Sequence, residues 1–361
     1  MMKYSFGDVF EDVTKKGTKI PRMEYLAEGK YPVIDQGKEF IGGYTDNYDG
    51  IFNDVPAIIF GDHTRILKYV DTPFFIGADG VKILAPKLAG ANCKYLYYAL
   101  QKVYVPDTGY NRHFKWLKEA DIVVHDVNKQ NEIVGQLDLL TSMMNKHQLL
   151  LDRYDELVKS RFVEMFGDPV VNTHGWEKTR LADKCDIVTG NTPSRKVKEY
   201  YGSNIEWIKS DNITDAKILT TATEYLSEKG EEVGRTVEAG SILMTCIAGS
   251  LRSIGNVAIA DRKVAFNQQI NAIIPNEQNT HFMYEQFRLS KDYICSGVNM
   301  ALKGILSKGQ LSEIEFVFPP IDLQKQFADF AAQADKSKLT IQKSMDNLQE
   351  LRDSLLQEYF G

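Results

Sequence analysis

The residue types able to do chemistry in this chain gather in short polar loops punctuated by glycine. One set comprises Gln36-Gly37-Lys38, Gly61-Asp62-His63-Thr64-Arg65 and Gly109-Tyr110-Asn111-Arg112-His113. A second comprises Thr189-Gly190-Asn191-Thr192-Pro193-Ser194-Arg195, Lys209-Ser210-Asp211-Asn212, Gly249-Ser250-Leu251-Arg252 and Asn267-Gln268-Gln269. Arg, Asn and Gln present paired donors and acceptors that match base edges, whereas Lys, Ser and Thr commonly hold phosphates. Each loop alone reads as an ordinary surface turn. Their joint occurrence in two sets favours a recognition surface. The candidate nucleic-acid contacts are Lys38, His63, Arg65, Asn111 and Arg112 in the first set. In the second they are Asn191, Thr192, Ser194, Arg195, Lys209, Arg252, Asn267, Gln268 and Gln269.

Catalysis has no comparable seat. The chain lacks the G-x-x-x-x-G-K-[ST] loop of nucleotide hydrolysis, the G-x-G-x-x-G turn and the G-x-S-x-G elbow. Cys93, Cys185, Cys246 and Cys295 form no C-x-x-C pair, and the six histidines include no H-E-x-x-H. The four thiols read as small hydrophobes. The acid-rich stretch 211–215 fits turn capping better than metal binding. We therefore expect a non-catalytic chain that binds no cofactor or metal itself.

Composition bounds the rest. A length of 361 residues suggests two domains or three, with 43% apolar residues supplying more than one core. No apolar run approaches the 18 residues of a membrane span, and Asp8 precedes any apolar stretch at the N-terminus. A cytoplasmic protein with no membrane partner is expected. The net charge of −6 argues against a polyanion partner, but residues 63–118 hold nine Lys or Arg against three Asp. A local basic face inside an acidic protein keeps nucleic acid open.

The elements that must position these loops come from an internal repeat. Glu164-Met165-Phe166-Gly167 recurs as Glu358-Tyr359-Phe360-Gly361, and the offset of 194 holds without a gap back to Leu117 and Leu311. Gln130 and Gln324 lie on this alignment. Upstream, the run 6–14 aligns with 181–189 at an offset of 175, so the second copy has 19 extra residues. The chain thus alternates a variable globular part with a segment of fixed length. The expected boundaries are 1–128, 129–167, 168–322 and 323–361.

Both fixed segments read as helices capped by Asn128 and Asp322 and ended by Gly167 and Gly361. Apolar residues recur at alternating steps of four and three, which predicts coiled-coil packing. The first seam contains Ile133, Leu137, Leu140, Met144 and Leu151, continuing through Arg161 to Met165. The second contains Phe327, Ala331, Ile341, Met345 and Leu348. Roughly 38 residues make a rod on the order of 55 Å. The two rods most simply pair antiparallel, and Leu139, Met143, Leu150 and Leu157 leave apolar surface for a further helical partner. The globular parts mix short strands, such as 55–60, 81–84, 241–244 and 257–260, with short helices at 95–100 and 282–287. This is an α+β pattern.

The chain resembles the specificity subunits of type I restriction-modification systems. The resemblance is sharpest at Gly175-Trp176, T-G-N-T-P-S at 189–194, I-E-W-I-K-S-D-N-I at 205–213, Asn267-Gln268-Gln269 and Pro319-Pro320 with Gln324. The first copy lacks the G-x-T-P-S run and has Tyr31-Pro32-Val33-Ile34-Asp35 near the equivalent place. The resemblance implies two target-recognition domains, each reading half of a split double-stranded DNA site. It implies two long helices that set their separation and dock modification (methyltransferase) subunits and a restriction (motor-nuclease) subunit. S-adenosylmethionine, ATP and Mg would then belong to those partners. Two other readings remain at this point: a protein–protein adaptor, and a nuclease with an unrecognised carboxylate site.

Overall fold

The computed structural model describes residues 2–77, 79–296, 298 and 304–361. The chain forms two compact units, one of residues 1–148 with 342–361 and the other of residues 149–341. Each unit therefore combines one globular part with a stretch of both long helices.

In the first unit the strands Phe10–Asp12, Val81–Pro86, Ala57–Gly61 and Leu67–Val70 form an antiparallel sheet in that order. The run Ala57-Ile58-Ile59-Phe60 is apolar at every position because both faces of this strand are covered. Ile59 and Ile83 point to a core shared with Ile34, Phe74 and Ile76. Ile58, Phe60 and Leu84 point the other way, toward Leu96 on the helix Cys93–Gln101. This is the period-two alternation of a strand between two layers. A second sheet has the order Lys19–Ile20, Phe75–Gly77, Tyr31–Ile34, Gly43–Thr45, with parallel pairs on both sides of Phe75–Gly77.

The second unit repeats the plan. Cys185–Thr189, Ile270–Pro275, Ile242–Thr245 and Val257–Ile259 form the antiparallel sheet. Leu243, Ala258 and Ala272 face one core, while Ile242, Met244, Ile259 and Ile273 face the core that includes the helix Thr280–Leu289. The companion sheet is Tyr225–Leu226, Tyr201–Ile208, Val264–Phe266 and Thr236–Val237. Its last strand is antiparallel to its neighbour, whereas Lys19–Ile20 at the matching edge of the first unit is parallel. The difference has a sequence origin. Thr236–Val237 follows the extra helix Glu228–Val233 in the longer second copy, while Lys19–Ile20 precedes its sheet partners.

The long helices run over Val127–Phe166 and Ile321–Phe360, 40 residues each, or about 60 Å at 1.5 Å per residue. Both begin earlier than the expected caps Asn128 and Asp322. The Asp126 carboxylate accepts the Lys129 N–H at 3.0 Å and sets the first start. Pro320, with its fixed φ, stands immediately before the second. The C-terminal expectation holds: Gly167 has φ +79°, and its N–H reaches the Val163 carbonyl at 2.8 Å. The two helices run antiparallel in each unit. In the second, Asp155 pairs with Lys338 at 2.6 Å and Phe162 meets Phe327 at 5.3 Å. In the first, the Tyr359 hydroxyl donates to Gln136 at 2.8 Å, and Lys129 lies over the Tyr359 ring.

The seam residues Ile133, Leu137, Leu140, Phe327 and Ala331 are buried, and Met144, Leu151, Ile341, Met345 and Leu348 are half-buried. The seam read from the sequence differs at one end. Phe162 and Phe166 are the fully buried positions there, not Arg161 and Met165. Both rings turn toward Phe282 of the globular part, with centroids at 5.4 and 4.8 Å. Phe360, the counterpart of Phe166, meets Tyr95 at 5.2 Å in the first unit.

Candidate nucleic-acid interface

In the first unit a buried lysine organises the polar loops. Lys68 is 4% exposed, and its ammonium donates to the carbonyls of Asp35 at 2.8 Å and Glu39 at 2.5 Å while pairing with the Asp35 carboxylate. Burial pushes the Lys68 pKa down, and Asp35 opposes that shift. The clip fixes the loop 35–40 and leaves Lys38 exposed on it. Gln36 then joins this loop to the next: its amide oxygen accepts the His63 N–H at 3.1 Å, and its carbonyl accepts the Thr64 hydroxyl at 2.7 Å. Gly80 beside it has φ +64°, the left-handed region that favours glycine, and a Cβ there would also crowd the Gln36 amide at 2.6 Å.

Arg65 closes the turn in the left-handed region, φ 63°. Its guanidinium donates to Asp107 at 2.6 Å and to the Val105 carbonyl at 3.3 Å, securing the third loop. On that loop the Tyr110 ring stacks on His63 at 4.7 Å and 10°, and His63 Nδ1 lies 3.1 Å from the Asn111 carbonyl oxygen. Beneath them His113 is fully buried, and the Asp62 carboxylate accepts the Phe114 N–H at 2.7 Å. The structure thus brings His63, Arg65 and Asn111 together, with Arg112 exposed beside them. Farther along, the ammonium groups of Lys82 and Lys118 lie 5.0 and 5.1 Å from the centroid of the Phe114 ring. Several cations of the region 63–118 are already paired: Arg65 with Asp107, Lys68 with Asp35, Lys82 with Asp12 and Lys94 with Asp138.

In the second unit Arg195 lies over the rings of Tyr201 and Trp207, 4.6 and 5.0 Å from their centroids, and pairs with Glu224 at 2.7 Å. Lys209 pairs with the other oxygen of the same carboxylate. The Lys209 hydrogen bond holds the Glu224 pKa below the usual carboxylate range, with Arg195 adding to it. Thr192 donates its hydroxyl to the Gln268 amide oxygen, so these two side chains also meet. Ser194 and Arg252 are exposed, the latter on a turn whose carbonyl accepts Lys291 Nζ at 2.6 Å.

Three second-unit candidates have their polar groups turned inward. Asn191 donates to the Val233 carbonyl at 2.8 Å and accepts the Arg235 N–H at 2.8 Å, bridging two segments. Asn267 is 4% exposed, and its amide is hydrogen-bonded to the backbone and side chain of Gln269. Gln269 in turn donates to the Ile247 carbonyl. These amides shape the loops that carry Thr192, Gln268 and Arg195. Sequence reasoning passed over Glu224, Lys68, Tyr201 and Trp207 as site members. Trp207 sits within the recognisable 205–213 run, but Glu224 and Lys68 carry no local signal.

Burial pushes the thiols of Cys93, Cys185 and Cys246 up to about 12, the behaviour of packed hydrophobes. Among the described residues, no group of three or more His, Cys, Asp or Glu is placed to hold a metal ion. No helix among them is long and apolar enough to cross a membrane.

Residues 173–351 match the type I restriction modification DNA specificity domain. The HindI specificity subunit of Haemophilus influenzae is 31% identical over 223 residues, covering 57% of this chain and 47% of that protein. The MjaIX specificity subunit of Methanocaldococcus jannaschii is 26% identical over 196 residues, covering 51% and 44%. The chain thus spans about half the length of these curated relatives. The crystal structure of the type I restriction-modification S subunit from M. genitalium superposes with a TM-score of 0.62 at 18% identity, covering 100% of this chain and 96% of that one, a likeness of fold. With the paired units and the two long helices in hand, residues 173–351 are a type I restriction modification DNA specificity domain, and the chain as a whole is similar to type I specificity subunits.

Proposed function

We propose that this chain reads double-stranded DNA at two half-sites, one per unit, inside an assembly that methylates or cleaves that DNA. The observation that carries the reading is the paired occurrence of rigid donor-rich loops. In the first unit Lys68 and Gln36 set the loops bearing Lys38, His63 and Arg65. In the second, Asn191 and Asn267 set those bearing Thr192, Arg195 and Gln268. A reader needs side chains held by a supporting shell so that one base pattern fits and others do not. The two units carry different side chains on a common plan, as two different half-sites require.

The chain supplies no chemistry of its own in this reading. Modification subunits bring S-adenosylmethionine and methyl transfer, and a restriction subunit brings ATP, Mg and cleavage. Leu139, Leu150 and Leu157 on the first long helix are 43–61% exposed and offer such partners an apolar seat. The cytoplasm is the compartment that holds this substrate. Copurified complex, titrated in fluorescence anisotropy against duplexes with and without the methylated motif, tests the reading. Sequence-dependent affinity that falls steeply with salt supports it, and equal affinity for both duplexes refutes it.

A further inference from the structure

Two cations of the second unit converge on one carboxylate. Arg195 donates to Glu224 Oε2 at 2.7 Å, and Lys209 donates to Oε1. The carboxylate is held by the fold. The Glu224 carbonyl accepts the Trp207 N–H at 2.9 Å, tying its backbone to the strand Tyr201–Ile208. Trp207 is buried, and its indole N–H donates to the Asn191 carbonyl at 3.3 Å. The Arg195 guanidinium lies on the rings of Tyr201 and Trp207, which are themselves edge-to-face at 6.0 Å. A fixed acid thus sits between two cations on an aromatic floor.

The group remains accessible. The Arg195 side chain is 56% exposed, Glu224 32% and Lys209 25%. Such a trio carries one net positive charge where two free cations would carry two. That difference matters for a DNA reader, because phosphate contacts supply nearly all sequence-independent binding. A carboxylate beside the cations repels any phosphate and already occupies their donors. A guanine edge, with its O6 and N7 acceptors, engages an arginine fork bidentately and can replace the carboxylate where a single phosphate contact does not.

We propose that Glu224 is a specificity-determining residue: it restrains Arg195 and Lys209 from pairing with arbitrary phosphates, so that they engage DNA only where the bases of the second half-site replace it. This inference rests on the DNA-reading function proposed above. It is distinct from a role in which Glu224 merely aims Arg195 at a base, and the two roles move different quantities. Removal of a restraint strengthens binding to unrelated DNA. Removal of an aiming group weakens binding to the correct site and leaves unrelated DNA unaffected.

The test uses the full chain copurified with its partner subunits and two duplexes of equal length. One carries the motif obtained by methylation mapping, the other a scrambled sequence. Affinity is measured across a salt series for wild type, Glu224→Gln, Glu224→Asp and the double variant Arg195→Gln/Glu224→Gln. Glu224→Gln is expected to bind the scrambled duplex about tenfold more tightly, with a log–log salt slope steeper by about 0.9 for each cation newly placed on a phosphate. Discrimination between the duplexes then falls. Glu224→Asp, which keeps the charge, stays near wild type, and the double variant loses about one such increment of slope. An unchanged or weakened affinity of Glu224→Gln for scrambled DNA overturns the restraint. Failure of the wild-type complex to discriminate at all overturns the DNA-reading proposal instead.

Discussion

The Gln324 side chain accepts the backbone N–H of Asn279 at 2.9 Å, and Gln130 does the same for Asn92 at 2.8 Å. Each glutamine also donates its amide, to the carbonyls of Pro319 at 2.7 Å and His125 at 2.8 Å. Both side chains are almost completely buried. Asn92 and Asn279 in turn cap the helices Cys93–Gln101 and Thr280–Leu289 through their side-chain oxygens. One buried amide per unit therefore ties the first turn of a long helix to the start of a globular helix.

Gln324→Leu should strand the Asn279 N–H away from water and destabilise the protein by about 1–3 kcal/mol, the cost of a buried polar group without a partner. Gln130→Leu should act similarly through Asn92. Urea denaturation followed by circular dichroism measures both. Wild-type midpoints in both variants would show that the clamps contribute nothing.

The exposed stripe on the first long helix behaves differently. Leu150→Ala with Leu157→Ala should leave thermal unfolding of the isolated chain nearly unchanged, as substitutions at exposed positions usually do within about 0.5 kcal/mol each. The same pair should reduce recovery of modification subunits in copurification. Full recovery would mean that this face takes no partner.

Stability should depend on pH through His281. Burial is the main cause holding its imidazole below the ordinary value of 6.5, with Lys217 adding to the effect. The unfolded chain therefore binds the proton more readily than the folded one. The contribution is present above about 6.5 and is lost as pH falls through the lowered folded value. His281→Leu should flatten the stability profile in that acidic window, as read by thermal unfolding across a pH series. A profile identical to wild type would exclude His281 as its source.

The long helices were legible in the sequence because a heptad pattern persists over 40 residues and the two copies align without a gap. The seam failed only where geometry outside the helix decides. Phe162 and Phe166 are buried because Phe282, more than 100 positions away, meets them, and no spacing rule contains that contact. The double-sided burial of residues 57–60 and 242–244 showed as unbroken apolar runs. The candidate site was legible by residue type but not by role. Asn191, Asn267 and Arg195 look alike as polar loop residues, yet backbone partners claim the first two while the third lies open on aromatic rings. Glu224 was invisible because its meaning comes from strand pairing that sets it beside Lys209 and Arg195.

If each unit reads one half-site, as proposed, the two halves of the target are separable. Arg65→Ala should relax base preference in one half-site and Arg195→Ala in the other, each by about 1–3 kcal/mol of discrimination at the affected position. Methylation mapping of cells expressing each variant reads this directly. A loss spread over both half-sites from either substitution would contradict one reader per unit.

On the proposed function, this chain selects the DNA sequence on which its partners act. The most direct test is methylation mapping of the host genome with and without the gene, alongside copurification of the tagged chain. Selection by this chain predicts a stable complex with a methyltransferase and one bipartite methylated motif that disappears on deletion. A chain that purifies alone, with a methylome unchanged by its loss, would contradict it.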